Sequence, residues 1–541
     1  LKGGVAASGD VPGEEILHTA FREVAVLYDR RHHGFGGAPK FPTPHMLTFL
    51  LRYWSRTGNA EALEMAVNTL ESMRRGGVYD HIGWGFHRYS TDSRWLVPHF
   101  EKMLYDQALL SIAYVEAFQA TGRPEYRRTA SEILRYVMRD MVAPQGGFYS
   151  AEDADSEGEE GKSYLWSESD IRRVLPREDA EIAVRIFNVR KEGNWTDELR
   201  GRTTMTNILH MESSMSDMAL VLGMTEEELG KRIESCRQSL FLERDKRVHP
   251  HKDDKILSDW NGLMIAALAK CGSVLGETGF VEAAEKAADF LLKGMRNPNG
   301  GIFHRYRDGQ AAIPGFLDDY EFLIWGLIEL YEATFDARRL LAAIEMNEFA
   351  LKHFWDDRSG GFYLTPDSSE DLPMRSKETH DGAIPSGNSV AVLNMARLSR
   401  ITGDTMLEEK ALQTAASFSD RISRVPSGHT QFMSALDFLI GPSFEVVVAG
   451  GAGSVDTRRI LQALRARFLP NMTVILRPTD TESPAITRIA PYTKEMVQND
   501  SRAMIYLCEG RRCRLPTDDV AEAISAMEQS KRQEPRGSSV G

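Results

Sequence analysis

Along most of the chain, stretches with one apolar stripe alternate with stretches that are apolar nearly all round, and glycines mark the changes between them. The first kind carries charge on most of its faces, as between Arg123 and Asp140. The second sets small and apolar residues on every side, as between Leu257 and Lys270. A helix of the second kind must be buried all round, whereas one of the first kind lies between core and solvent. The glycine-marked turns are Gly34-Phe35-Gly36-Gly37, Gly76-Gly77-Val78-Tyr79, Gly146-Gly147-Phe148-Tyr149, Gly300-Gly301-Ile302-Phe303 and Gly360-Gly361-Phe362-Tyr363. Such glycines suit a helix exit, because the left-handed conformation costs them nothing sterically. The aromatic that follows can start a short strand over the end of the core.

The pattern predicts six helix pairs: 14–29 with 43–55, 60–74 with 98–120, 124–141 with 257–275, 279–296 with 315–335, 338–355 with 387–401, and 406–423 with 430–440. In the last pair Pro426-Ser427-Gly428-His429 replaces the double glycine. Six irregularly spaced hairpins predict a closed (α/α)6 toroid over 14–440, with the second helix of each pair inside and the first outside, rather than an open solenoid. An insertion at about 151–255 opens with the acidic run 152–160, continues through an expected strand at 163–167, and then turns helical. After Gly441-Pro442 the pattern changes to buried strands at 444–449, 472–476 and 503–507 around helices at 455–468 and 517–529. The expected fold is therefore mainly α, with a small C-terminal α/β domain over 441–529 and a disordered tail at 530–541.

Composition narrows the function. A formal charge of −13 and the lack of a basic stripe argue against a nucleic-acid partner. No apolar run reaches the roughly 18 residues of a membrane span. The four cysteines, Cys236, Cys271, Cys508 and Cys513, are too few for a disulfide scaffold in 541 residues and point to a reducing, cytoplasmic setting. The chain starts at Leu1 with no signal peptide, which suggests a truncated or unusually initiated reading frame. The oligomeric state leaves no mark on the pattern.

In a toroid, the long segments between outer and inner helices crowd one mouth, and here they carry the groups that sugars need. Aromatic faces stack on C–H groups, while carboxylates, amides and imidazoles meet hydroxyls and move protons. The densest segment holds Tyr79, Asp80, His81, Trp84, His87, Arg88, Trp95, His99, Glu101 and Asp106. With a helix starting at Pro98, His99 and Asp106 would share a face, making His99 a general acid or base; its plain alternative is a helix-capping histidine. Asp259, Trp260 and Asn261 lead into another inner helix. Asp318, Asp319, Tyr320 and Glu321 lead into a third, where paired carboxylates near Trp325 suit glycoside cleavage and capping accounts for one aspartate. His380, Asp381, Ser386 and Asn388 form the fourth group, with Ser386 equally readable as a cap. The catalytic candidates are His99, Asp318, Asp259, His380, Glu101 and Asp381, and the remainder are candidates for substrate binding.

Other signals are weaker. Gly451-Ala452-Gly453 lacks the third glycine of a dinucleotide loop, and Cys508 with Cys513 lacks the second pair of a zinc site and reads as a structural thiol pair. His32, His33, His249 and His251 lack partner ligands, and the acidic run reads as a solvated loop, with a cation site as its alternative. No metal and no cofactor are expected.

Several longer segments are specific enough to carry a resemblance: 36–42, 77–89, 99–106 and 149–158, together with 258–262 and 385–388. Over nearly its whole length the chain resembles the thioredoxin-domain-containing family of bacterial YyaL-like proteins and mammalian spermatogenesis-associated protein 20. The resemblance implies a thioredoxin-like domain followed by a toroid similar to N-acylglucosamine 2-epimerases and six-hairpin glycosidases. This chain departs from it: nothing before residue 14 can form a thioredoxin domain, and no C-x-x-C occurs. Redox activity is therefore not carried over.

Two classes of function follow. One is a carbohydrate-active enzyme acting on a sugar or glycan in the toroid mouth. An epimerase or isomerase would use His99 with His380 or Asp318; a glycoside hydrolase would use Asp318 with Asp259 or Glu101. The other is a non-catalytic glycan- or protein-binding module working with a thioredoxin-like domain.

Overall fold

The structure, a computed structural model, describes residues 9–197, 202–368 and 374–532. Six outer helices, α1 (Glu15–Leu27), α3 (Ala60–Arg75), α5 (Pro124–Tyr136), α11 (Thr278–Gly294), α13 (Ala337–His353) and α15 (Thr405–Arg424), surround six inner ones. The inner helices are α2 (Pro44–Thr57), α4 (Leu104–Thr121), α10 (Ser258–Leu275), α12 (Leu317–Thr334), α14 (Gly387–Thr402) and α16 (Thr430–Ile440). In the inner ring α2 packs on α4, α4 on α10, α10 on α12, α12 on α14 and α14 on α16, and α16 returns to α2. The ring is closed, and the fold is an (α/α)6 toroid. Burial follows the pattern of the sequence: α4 is buried from Leu104 through Ala117, whereas α5 buries one stripe through Tyr126, Ala130, Ile133 and Leu134.

Two local expectations are corrected. The left-handed helix exits fall at Gly58, Gly122, Gly276 and Gly403, which end inner helices. The double glycines sit instead inside turns closed by single β-bridges: Val142 to Phe148, Arg296 to Ile302 and Trp355 to Phe362. In the second hairpin the equivalent bridge joins Tyr79 to Phe86, so Gly85 (φ +78°) takes the place expected of Gly76-Gly77. The helix expected from Pro98 begins at Leu104, because Pro98–His99 and Lys102–Met103 are short strands paired with Tyr89–Ser90 and Ala151–Glu152. His99 and Asp106 therefore share no helical face.

The insertion holds α6 (Glu168–Val174), α7 (Arg177–Ile186), α8 (Met215–Leu222) and α9 (Glu226–Arg244) around a core that includes Trp166, Ile171, Ile186, Leu229 and Leu240. The strand expected at 163–167 reduces to one bridge, Trp166 to Asn207. Beyond Pro442, strands Met472–Pro478, Phe444–Gly450, Met504–Glu509 and Arg512–Cys513 lie side by side in that order, the first two parallel. Val447, Ala449 and Ile475 on one face join the core of the toroid. Val446, Val448 and Leu507 on the other lie under α17 (Val455–Arg465) and α19 (Val520–Arg532), while the short α18 (Ile486–Ile489) follows the Met472–Pro478 strand. Cys508 and Cys513, directly opposite in the ladder, form a disulfide. Residues 530–532 of the expected tail belong to α19, and the rest lies outside the described residues. Among the described residues no helix is long and apolar enough to cross a membrane.

Candidate active site

The inner-helix N-termini meet at one mouth, and two glycines set how closely α10 and α12 approach there. A Cβ on Gly262 would stand 2.5 Å from the backbone of Phe322 and Leu323, and one on Gly326 would stand 2.7 Å from the Gly262 carbonyl. Only glycine permits that contact. It carries Asp259, one turn before Gly262, against the first turn of α12, where the Asp259 amide donates to Asp319 Oδ1 at 3.0 Å.

Asp319 is fully buried and also caps its own helix by accepting the Phe316 amide at 2.7 Å. Its two oxygens lie 2.9 and 3.1 Å from His304 Nδ1. His304 stands in the strand Phe303–Arg307, which pairs with Ile256–Leu257 at the start of α10, so sheet register brings it to the mouth. Burial works against charge on His304, but the hydrogen bond to Asp319 and the charges of Asp259 and Asp318 override it and raise its pKa. Nδ1 engaged by a carboxylate leaves Nε2 as the atom for proton exchange.

Asp318 is half-buried beside this dyad. Burial and the Asp319 charge push its carboxyl up to about 7, against the opposing hydrogen bond from the Gly387 amide. Gly387 opens α14, and a Cβ there would fall 2.4 Å from Asp318 Oδ1, so glycine at this position lets the carboxyl seat on the helix N-terminus. One turn on, Glu321 has no exposed surface; burial raises it to about 8 despite the Asn394 side chain at 2.9 Å. Burial, then Asp319, pushes the Asp259 carboxyl well above its ordinary range. Asp259, His304 and Asp319 each bring one donor atom to within 4.8 Å of the others, a spacing that a divalent cation could bridge. The hydrogen bonds already converging on Asp319 make the set a better fit to an oriented imidazole than to a metal.

A second cluster lies across α4. His99 places Nδ1 at 2.8 Å from Glu160 of the insertion and Nε2 at 3.2 Å from Glu101. The Glu160 hydrogen bond is the main reason its pKa is raised. Glu101 is also paired with Arg88 at 2.9 Å, and Tyr89 stacks on the His99 ring. Tyr105 meets Trp260 edge-on at 4.8 Å, an aromatic contact between the α4 and α10 sides of the mouth. Asp106 is buried with one oxygen unpartnered, and burial raises its pKa well above the ordinary range.

Many of the other candidate substrate ligands hold the ring together. Asn261 accepts the Phe148 amide at 2.7 Å and donates to the Phe148 carbonyl at 3.0 Å; Asn388 grips both backbone groups of Phe362 at 2.8 and 2.9 Å. Gln107 does the same for Phe86, and the Tyr320 hydroxyl accepts the Ile302 amide. Ser386 caps α14, and Asp381 accepts the amides of Ser386, Gln431 and Phe432, tying α14 to α16. Asp80 is locked by Lys102 at 2.8 Å and a two-bond pair with Arg244, which hold its carboxyl well below the usual range despite burial. Burial, then neighbouring cations, drives His81 and His87 down to about 3, which keeps both neutral. Tyr79 donates to Glu132, Trp95 to the His33 carbonyl, and Trp84 lies under Arg237. His380 is exposed, 6.0 Å from the His429 ring. His304 and Glu160 were not singled out in the sequence; the available signal for His304 was its place two residues beyond the clamped Ile302, matching Arg88 beyond Phe86.

Comparison with known proteins decides the family. The chain is 35% identical over 540 residues to rat spermatogenesis-associated protein 20, covering 94% of this chain and 68% of the relative. It belongs to the spermatogenesis-associated protein 20 family. The human member is 35% identical over 94% of this chain and 68% of its own length, and an uncharacterized Caenorhabditis elegans protein is 31% identical over 95% and 74%. No family model matches. Similar solved structures include a GH76 alpha-mannanase of Bacteroides thetaiotaomicron (10% identity, 78% of this chain and 95% of that one, TM-score 0.48). A cellobiose 2-epimerase of Bacillus thermoamylovorans also matches (13%, 75% and 98%, TM-score 0.32).

Proposed function

We propose that this member of the family is a sugar-processing enzyme of the epimerase or isomerase kind, with Asp318 and His304 as its proton-transfer pair. The observation that carries the reading is the His304–Asp319 dyad beside a half-buried carboxyl held near neutrality. A general base works best when its pKa lies near the operating pH, and an imidazole fixed by a buried carboxylate is oriented to take or return a proton. Abstraction of a proton next to a carbonyl and its return to the same or a neighbouring carbon needs only those two groups.

Two-carboxylate hydrolysis is less well supported. It requires one protonated and one ionised carboxyl, both facing the substrate. Asp319 is fully buried, the Asp259 carboxyl is driven toward its neutral form, and Glu101 is held by Arg88 and His99. The sugar partner itself is part of the proposal.

The test is solvent-deuterium wash-in, followed by NMR, on a panel of aldoses, ketoses and disaccharides. Wild type should label one substrate at the carbon next to its carbonyl. Asp318→Asn and His304→Gln should each slow labelling by about 10²–10⁴-fold with little change in Tm. Absence of labelling across the panel, or wild-type rates in both variants, would refute the reading.

A further inference from the structure

Below the mouth, the bore of the toroid is a blind tube. A cavity of ≈ 120 Å³ takes lining from all six inner helices, including Arg52, Glu116, Lys270, Glu329, Arg397 and Ser434. Leu461, Leu464, Arg465 and Phe468 of the C-terminal unit close its floor. The tube carries a belt of buried charge. Glu116 is shared by Arg52 at 2.7 Å and Lys270 at 3.0 Å, and burial of its carboxyl is more than offset by those cations, which hold it at about 2. Arg397 is shared by Glu329 at 2.7 Å and Glu332 at 3.1 Å. These three cations and three carboxylates balance.

Arg465 breaks the balance. It reaches into the same cavity from α17, and its guanidinium donates to the Glu332 and Ala333 carbonyls at 2.6 and 2.9 Å, which are neutral acceptors. Arg467 also lines the cavity but is exposed to solvent, while Arg56, outside the lining, is paired with both Asp437 and Glu14. A half-buried guanidinium that faces a cavity and bonds only neutral carbonyls favours an anion opposite it. We infer that the floor of the bore is a binding site for a small oxyanion, a phosphate or carboxylate, free or carried at the end of a longer ligand. Along α12 the belt lies about 16 Å below Asp318, from an 11-residue separation, so this site is separate from the acid–base pair.

Because its lining comes from both the ring and the C-terminal unit, the anion should also clamp the two together. The experiment is calorimetry and thermal shift with inorganic phosphate, acetate, glucose 6-phosphate and glucose, in buffers matched for ionic strength with chloride. Phosphate should bind and raise Tm, and Arg465→Gln and Lys270→Gln should each weaken binding at least tenfold. Comparable binding of phosphate and glucose 6-phosphate indicates a free anion, whereas strong preference for the sugar phosphate indicates a ligand-borne one. No binding by wild type beyond the chloride control, or unchanged affinity in both variants, overturns the inference. If neither variant folds, the wild-type measurement alone decides.

Discussion

Asp318 and Glu321 sit one turn apart on the same face of α12, and both are carboxyls that burial holds above their ordinary range. For Glu321 the consequence can be signed. Its pKa is raised on folding, so its contribution is fully present below its unfolded value of 4.5 and is lost as pH rises through the folded value of about 8. The loss reaches at most about 5 kcal/mol. Glu321→Gln, which has no charge to form, should match wild type in Tm at pH 5 and exceed it at pH 9, as differential scanning calorimetry would show. Asp80 has the opposite sign. Its charge is stabilised by Lys102 and Arg244, and Asp80→Asn leaves two buried cations short of a partner. Urea unfolding of that variant should show a loss of about 3–5 kcal/mol. These two outcomes separate a carboxyl that burial keeps neutral from one that buried cations keep charged. The sequence placed both near the mouth but gave no sign of which was paired, because their partners lie up to 164 positions away.

At the scale of elements, amide clamps hold three of the six hairpin turns in place. Asn261, Asn388 and Gln107 lie near the start of their helices, and each satisfies both backbone groups of a buried aromatic residue. Removing such a side chain leaves a buried amide and carbonyl unsatisfied. Asn388→Ala should cost about 2–4 kcal/mol of stability by chemical denaturation and leave ligand affinity per folded molecule unchanged. Gly262→Ala should be harsher, since the added carbon meets backbone and not a flexible tip. The helices themselves were legible because their patterns are long and periodic. The start of α4 was not, since residues 98–103 hold apolar and polar groups that fit a strand or a helix equally well; pairing with Ala151–Glu152, far along the chain, decides for strands. The clamps escaped notice because a buried asparagine in a polar segment looks the same whether it faces a ligand or a backbone.

For the whole molecule, closure of α16 on α2 is what brings four sequence-distant segments to one mouth. Six helix pairs, each with a second helix apolar nearly all round, announce a ring before any contact is known, which is why the architecture could be read from the chain. The chemistry was harder to read. The sequence directed attention to His99 and His380, whereas sheet register places His304 beside the carboxylates and leaves His380 exposed. A histidine in a short strand carries no periodic signal of where it will be delivered.

Asp318 is a near-neutral acid because burial and the neighbouring Asp319 outweigh the amide of Gly387 at the start of α14. Carbon-13 NMR of carboxyl-labelled aspartate, with the resonance assigned through Asp318→Asn, would follow that group directly. A midpoint near 7 is expected, rising further in His304→Gln because the imidazolium that favours the carboxylate is gone. A midpoint near the ordinary aspartate value of 3.8, unmoved by the histidine substitution, would contradict the account.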